Sequence, residues 1–66
     1  MKNTIKVERA IHNMTQQDLA TAIGVSRQTI NSIESGKYVP STLLSLKMAA
    51  VFGKSVNDIF ELEDND

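Results

Sequence analysis

Apolar side chains recur at helical spacing in every segment that the three glycines and the single proline mark off. Thr15 followed by Asp18 has the spacing of an N-cap with an acidic first turn, and Leu19, Ala20 and Ile23 then share one face before Gly24. Ser26 caps a second such segment, whose buried pair is Ile30 and Ile33 and which Gly36 ends. Upstream, Thr4 to Asn13 forms a first helix on Ile5, Arg9 and Ala10, with Asn13 left-handed at its end and Met14 turning inward. Downstream, Pro40-Ser41 opens a fourth helix carrying Leu44, Ser45, Met48, Ala49 and Phe52, closed by Gly53. Ser55 then caps a short fifth helix running through Phe60. The pattern predicts an all-α fold, with Lys2–Asn3 and Glu61–Glu63 placed to pair as a small ribbon joining the termini.

Only Gly24 and Val25 separate the second helix from the third. A turn of that length, with glycine at the left-handed position and Val25 plugging the angle between the helices, is the local signature of a helix-turn-helix. On the third helix Gln28, Asn31, Ser32 and Ser35 face away from Ile30 and Ile33, with Arg27 and Thr29 at the flanks. This outward face holds amides, hydroxyls and one arginine, and no acid. Such side chains read base edges: Arg pairs with guanine, Gln or Asn with adenine, and Ser or Thr with either. A solvated face also accepts Gln, Ser and Asn, so the two-residue turn ahead of it is what favours DNA.

Composition narrows the function further. Sixty-six residues make one domain, and the 41% hydrophobic content includes only Phe52, Phe60 and Tyr38 as aromatics, so the core is aliphatic. Without cysteine and with a single histidine, neither a disulfide framework nor a metal cluster is expected. No apolar run approaches the roughly 20 residues that cross a bilayer, and Met1-Lys2-Asn3-Thr4 does not open a signal peptide, which points to the cytoplasm. The formal charge of −1 conceals an asymmetry, because Asp58, Glu61, Glu63, Asp64 and Asp66 lie in the last nine positions. Residues 1–57 hold seven basic and three acidic side chains, a net +4 suited to an anionic partner on one face.

Thr15-Gln16-Gln17-Asp18-Leu19-Ala20, Ile23-Gly24-Val25-Ser26-Arg27-Gln28-Thr29-Ile30 and Ile33-Glu34-Ser35-Gly36-Lys37 resemble the helix-turn-helix of the Cro/cI phage repressors and XRE-type bacterial regulators. The similarity continues through Tyr38-Val39-Pro40-Ser41 and Gly53-Lys54-Ser55-Val56-Asn57-Asp58-Ile59-Phe60, nearly the whole chain, and is strongest to the short stand-alone branch that includes the cytolysin repressor. It implies a five-helix, lambda-repressor-like DNA-binding domain over residues 1–66, with the motif at about 15–35 and dimerisation at about 55–66. It also implies a homodimer on a palindromic operator, with the third helix in the major groove. Arg27, Gln28, Asn31 and Ser32 are then expected to contact bases, and Gln16, Ser26, Thr29, Lys37 and Tyr38 the DNA backbone. Three departures stand out: Asn13 replaces the usual glycine, Glu8 stands where an apolar residue is common, and the tail is acidic.

Arg9 and Glu34 match a pair that bridges the first and third helices in that family. Glu34 lies beside Ile30 and Ile33 near the buried edge and needs a cationic partner, which Arg9 is spaced to supply. His12 has neither a second ligand nor a nucleophile beside it, and reads as a surface or helix-end residue. Ser26 as a nucleophile lacks an activating base, whereas capping explains it fully. Ile59, Phe60 and Leu62 cluster where a small monomer has little core left, so Ile59 is expected to cover the core while Phe60 and Leu62 form the dimer interface. Leu43, Leu46 and Val51 are surplus to the fourth helix's apolar stripe and widen that interface.

The expected function is a non-enzymatic, sequence-specific DNA-binding regulator, a repressor, with double-stranded DNA and a second copy as partners. No cofactor, metal, membrane or small-molecule ligand is expected. The alternative is an antitoxin that neutralises a partner toxin and controls its own operon through the same motif. A hydrolase or transferase fails for want of cysteine, a second histidine or a glycine-rich phosphate loop.

Overall fold

A computed structural model describes residues 1–66 as five helices and one short ribbon. The helices are α1 (Ile5–Ile11), α2 (Gln16–Ile23), α3 (Arg27–Glu34), α4 (Thr42–Phe52) and α5 (Val56–Ile59). Strand β1 (Lys2–Asn3) pairs antiparallel with β2 (Phe60–Glu61), Lys2 opposite Glu61 and Asn3 opposite Phe60. The all-α fold with a ribbon at the termini is therefore as expected, but the ribbon starts at Phe60 rather than Glu61. The fifth helix correspondingly ends at Ile59, because Phe60 turns extended (φ −117°, ψ 142°) and buries its ring in the core.

Local chemistry sets most boundaries. Thr15 and Asp18 form a reciprocal capping box, the Thr15 hydroxyl accepting from Asp18 N at 3.0 Å and the Asp18 carboxylate from Thr15 N at 2.9 Å. Ser26 and Ser41 cap α3 and α4 by accepting the amides of Thr29 and Leu44. Asp58 accepts from both the amide and the hydroxyl of Ser55, and these bonds, the backbone one foremost, hold its carboxyl below the usual range. Gly24, at φ +77°, ends α2 in the left-handed conformation that an L side chain rarely adopts. Asn13 is the one non-glycine residue with positive φ, 54°, so it takes the role that glycine would fill after α1.

The core gathers Ile5, Leu19, Ile30, Ile33, Met48 and Ile59, all fully buried, with Phe52 and Phe60 beside them. Burying each such aliphatic side chain stabilises by about 1.5–3 kcal/mol, and none of these short helices would persist without it. The first helix departs from expectation: Ala10 is exposed, and Glu8 joins Ile5 on the buried face, only 3% exposed. Lys54 reaches over from the turn after α4 to donate to Glu8 Oε2, while Glu8 Oε1 has no partner. Asn3 stitches the ribbon to the rest, donating to the Ile33 carbonyl at 3.0 Å and accepting from Ile5 N at 3.2 Å.

Candidate nucleic-acid interface

The two helices of the motif are joined as their residue types dictate. After Gly24 the amide of Val25 donates back to the Ala20 carbonyl, closing α2, and the Val25 side chain packs against the core. The angle so set leaves Ile30 and Ile33 inward on α3 and turns Arg27, Gln28 and Asn31 outward into solvent. Thr29 and Ser32 are half-buried at the edges of that face.

Ser26, Gln28, Thr29 and Ser32 line an open concavity of about 400 Å³, whose far lip is Lys37 and Tyr38. One carbonyl holds that lip in place. Ser32 O accepts from Lys37 N at 2.9 Å, Tyr38 N at 3.2 Å and the Ser35 hydroxyl at 3.2 Å. The loop after α3 is thus anchored to the helix itself, a relationship with no local signal in the sequence. The Ser26 hydroxyl is engaged twice, with the amide of Thr29 and with the Thr29 hydroxyl at 2.9 Å, which caps the start of α3.

At the other end of the face, Gln16 stands between two α3 side chains. Arg27 Nη1 donates to Gln16 Oε1 at 3.3 Å, and Gln16 Nε2 donates to Asn31 Oδ1 at 3.2 Å. One residue of α2 therefore orients two residues of the outward face of α3, whereas the exposed Gln28 side chain makes no hydrogen bond. Gln16, expected at the DNA backbone, is thus brought together with Arg27 and Asn31, expected at the bases.

The face is supported from behind by Arg9 and Glu34. Their contact is two-pronged, Nε to Oε2 at 2.7 Å and Nη2 to Oε1 at 3.0 Å, with side chains 14% and 9% exposed. Arg9 Nη1 also donates to the Met14 carbonyl, which is how α1 and the following turn are fixed to the C-terminal end of α3. Hydrogen bonding to Glu34 raises the Arg9 pKa further above its already high value.

The apolar residues expected at a dimer contact divide differently from the expectation. Ile59 and Phe60 both lie in the core of the single chain, Phe60 only 7% exposed, while Leu62 is 77% exposed. Val51 packs against the core instead of widening a surface, whereas Leu43 and Leu46 are exposed, as is Val39, which the sequence reading passed over. Val39, Pro40, Leu46 and Val56 line a shallow groove whose floor includes Phe60. In the acidic tail, Glu63 and Asp66 each lie 3.1 Å from the Met1 amine. No helix is long and apolar enough to cross a membrane, and no three His, Cys, Asp or Glu side chains converge.

Comparison with known proteins agrees with this geometry. A family model described as helix-turn-helix matches residues 5–59. An HTH-type transcriptional regulator of Methanocaldococcus jannaschii is 56% identical over 66 residues, covering both chains completely. Another, from Archaeoglobus fulgidus, is 46% identical over the whole of this chain and 93% of its own. A third, from Bacillus subtilis, is 45% identical over 64 residues, 97% of each chain.

Proposed function

The chain belongs to the XRE-type helix-turn-helix family of DNA-binding transcriptional regulators, and from that premise we propose that it is a repressor binding a palindromic operator as a homodimer. Residues 1–66 act as a single domain in the cytoplasm, without cofactor or small-molecule effector. Helix α3 enters the major groove with its N-terminal turn foremost, Arg27, Gln28, Asn31 and Ser32 meeting base edges. Gln16, Ser26, Thr29, Lys37 and Tyr38 meet the phosphate chains on either side and set the register.

The observation that carries this reading is the outward face of α3. It holds one cation, two amides and hydroxyls but no carboxylate, and it borders a concavity whose far lip carries Lys37. The Ser26 hydroxyl caps α3 and the Thr29 hydroxyl is bonded to it, and the concavity is lined by no histidine, cysteine or carboxylate that would activate a hydroxyl as a nucleophile. The dimer is assigned to the exposed apolar residues Val39 and Leu46, which line the groove over Phe60, and Leu62, which lines the adjoining concavity on the other side of Phe60.

Selection of bound duplexes from a random library tests the whole proposal. A palindrome with half-sites about 34 Å apart, centre to centre, is the expected product, together with sedimentation at twice the 7.3 kDa chain mass. An asymmetric site bound by a monomer would refute the dimer, and recovery of no preferred sequence would refute the reading as a specific regulator.

A further inference from the structure

We propose that Asn31 reads guanine and not adenine, because Gln16 fixes its side-chain amide with the acceptor turned inward; this rests on the docking of α3 proposed above. Arg27 is a donor that cannot accept. A guanidinium has five N–H groups and no acceptor, so the Gln16 atom facing Arg27 Nη1 at 3.3 Å must be the amide oxygen. That leaves Gln16 Nε2, a donor only, for Asn31 at 3.2 Å. Only the Asn31 oxygen can receive it. The hydrogen-bond chain runs Arg27 to Gln16 to Asn31, and its direction is set by the arginine.

The consequence lies at the free end of the chain. With Oδ1 held toward α2, Asn31 presents Nδ2 outward, and Arg27 keeps its remaining N–H groups. Adenine is recognised by an amide that offers its oxygen to N6 and its nitrogen to N7 side by side, and Asn31 no longer offers both. Guanine shows two acceptors, N7 and O6, and suits a surface made of donors. Gln28, whose side chain is exposed and makes no hydrogen bond, retains both halves of its amide and remains the residue equipped for adenine. Each half-site should therefore hold guanine opposite Arg27 and again opposite Asn31.

The test uses the full chain in the same library selection, comparing the parent with Asn31→Ala and Gln16→Glu. Glutamate at position 16 still accepts from Arg27 but has nothing to donate, so it draws Asn31 Nδ2 inward and turns Oδ1 to the groove. The parent should select guanine at the position whose preference Asn31→Ala abolishes, with adenine there weakening binding about tenfold. Gln16→Glu should move that preference to adenine or cytosine, the bases with an exposed amino donor. Because preference is a ratio within one variant, the general weakening caused by an added carboxylate cancels. Adenine selected by the parent at the Asn31-dependent position, or guanine retained there by Gln16→Glu, would overturn the inference while leaving the DNA-binding assignment intact. A parent that enriches no sequence would overturn both.

Discussion

Lys54 Nζ lies 2.7 Å from Glu8 Oε2 and joins the turn after α4 to the first helix, 46 residues away in sequence. The two ends of this pair are unequal, since the lysine is 42% exposed and the carboxylate only 4%. Removing the lysine strands a buried charge, and removing the carboxylate returns the lysine to water. Lys54→Met should therefore lower stability by about 1–3 kcal/mol in chemical denaturation, the cost of leaving a buried acceptor unsatisfied. Glu8→Leu, which also eliminates the unpartnered Oε1, should match or exceed the parent, and the double variant should recover most of the loss. Equal losses for the two single changes would contradict this asymmetry.

Arg9 and Glu34 should behave symmetrically by comparison, because both are largely buried. Either residue replaced by alanine should cost about 3–5 kcal/mol, enough to unfold much of a domain this small at elevated temperature. In a double-mutant cycle followed by thermal melting, the combined loss should fall well short of the sum. A Glu34→Ala protein that melts like the parent would remove the pair from the account of how α3 is held.

Acid should weaken the start of α5 through Asp58. Bonds from Ser55 lower the folded carboxyl's pKa below its unfolded value, so the stabilisation is complete above the ordinary carboxylate range. It is lost as pH falls through the lowered folded value. Asp58→Asn should be less stable than the parent at neutral pH, and the two melting temperatures should converge as the solution is acidified. A constant difference across that range would deny Asp58 the role.

Base reading by α3 should separate from the charge contact that Lys37 makes with the backbone. Arg27→Ala and Gln28→Ala should each cost about 1–3 kcal/mol on the selected site and relax preference at particular base pairs. Lys37→Ala should weaken binding to all sequences alike and reduce the salt dependence by about one counterion per subunit, whereas Gln16→Ala should weaken it without that change. Filter binding or anisotropy over a salt series measures both effects. Altered base preference in Lys37→Ala with none in Arg27→Ala would misplace the reading head.

Self-association should follow exposure. Leu46→Asp and Leu62→Asp should shift sedimentation toward the monomer with little change in melting temperature. Phe60→Ala should instead cost about 3–5 kcal/mol of fold stability, since it empties part of the core. A dimer indifferent to both aspartates would place the contact elsewhere.

Much of this molecule was legible in the chain because its boundaries are written in neighbouring residues. Thr15 and Asp18, Ser26 and Gly24 act within a turn of where they stand, so their effects can be read locally. The relationships that escaped reading join distant positions through packing. Nothing near Asn3 announces that it will donate to Ile33 O, and nothing near Ser32 that its carbonyl will hold the following loop. Burial of Phe60 is hard to read for a related reason: apolar residues near the end of a short chain look surplus until the ribbon turns one of them inward. Gln16 opens α2, which its position after Thr15 makes readable, but its coupling to Arg27 and Asn31 depends on the angle that Gly24 and Val25 set between two helices.

The division of α3 into an inward pair, Ile30 and Ile33, and an outward face that shares no residue with it has a bearing on how such a protein changes over generations. Substitutions at 27, 28 and 31 leave the core untouched, so a lineage can acquire a new operator without first acquiring a surplus of stability. Position 16 is the exception. Because one glutamine serves two readers on the neighbouring helix, a new preference at 31 is reached most directly by paired replacement with 16, and the two positions are expected to drift together.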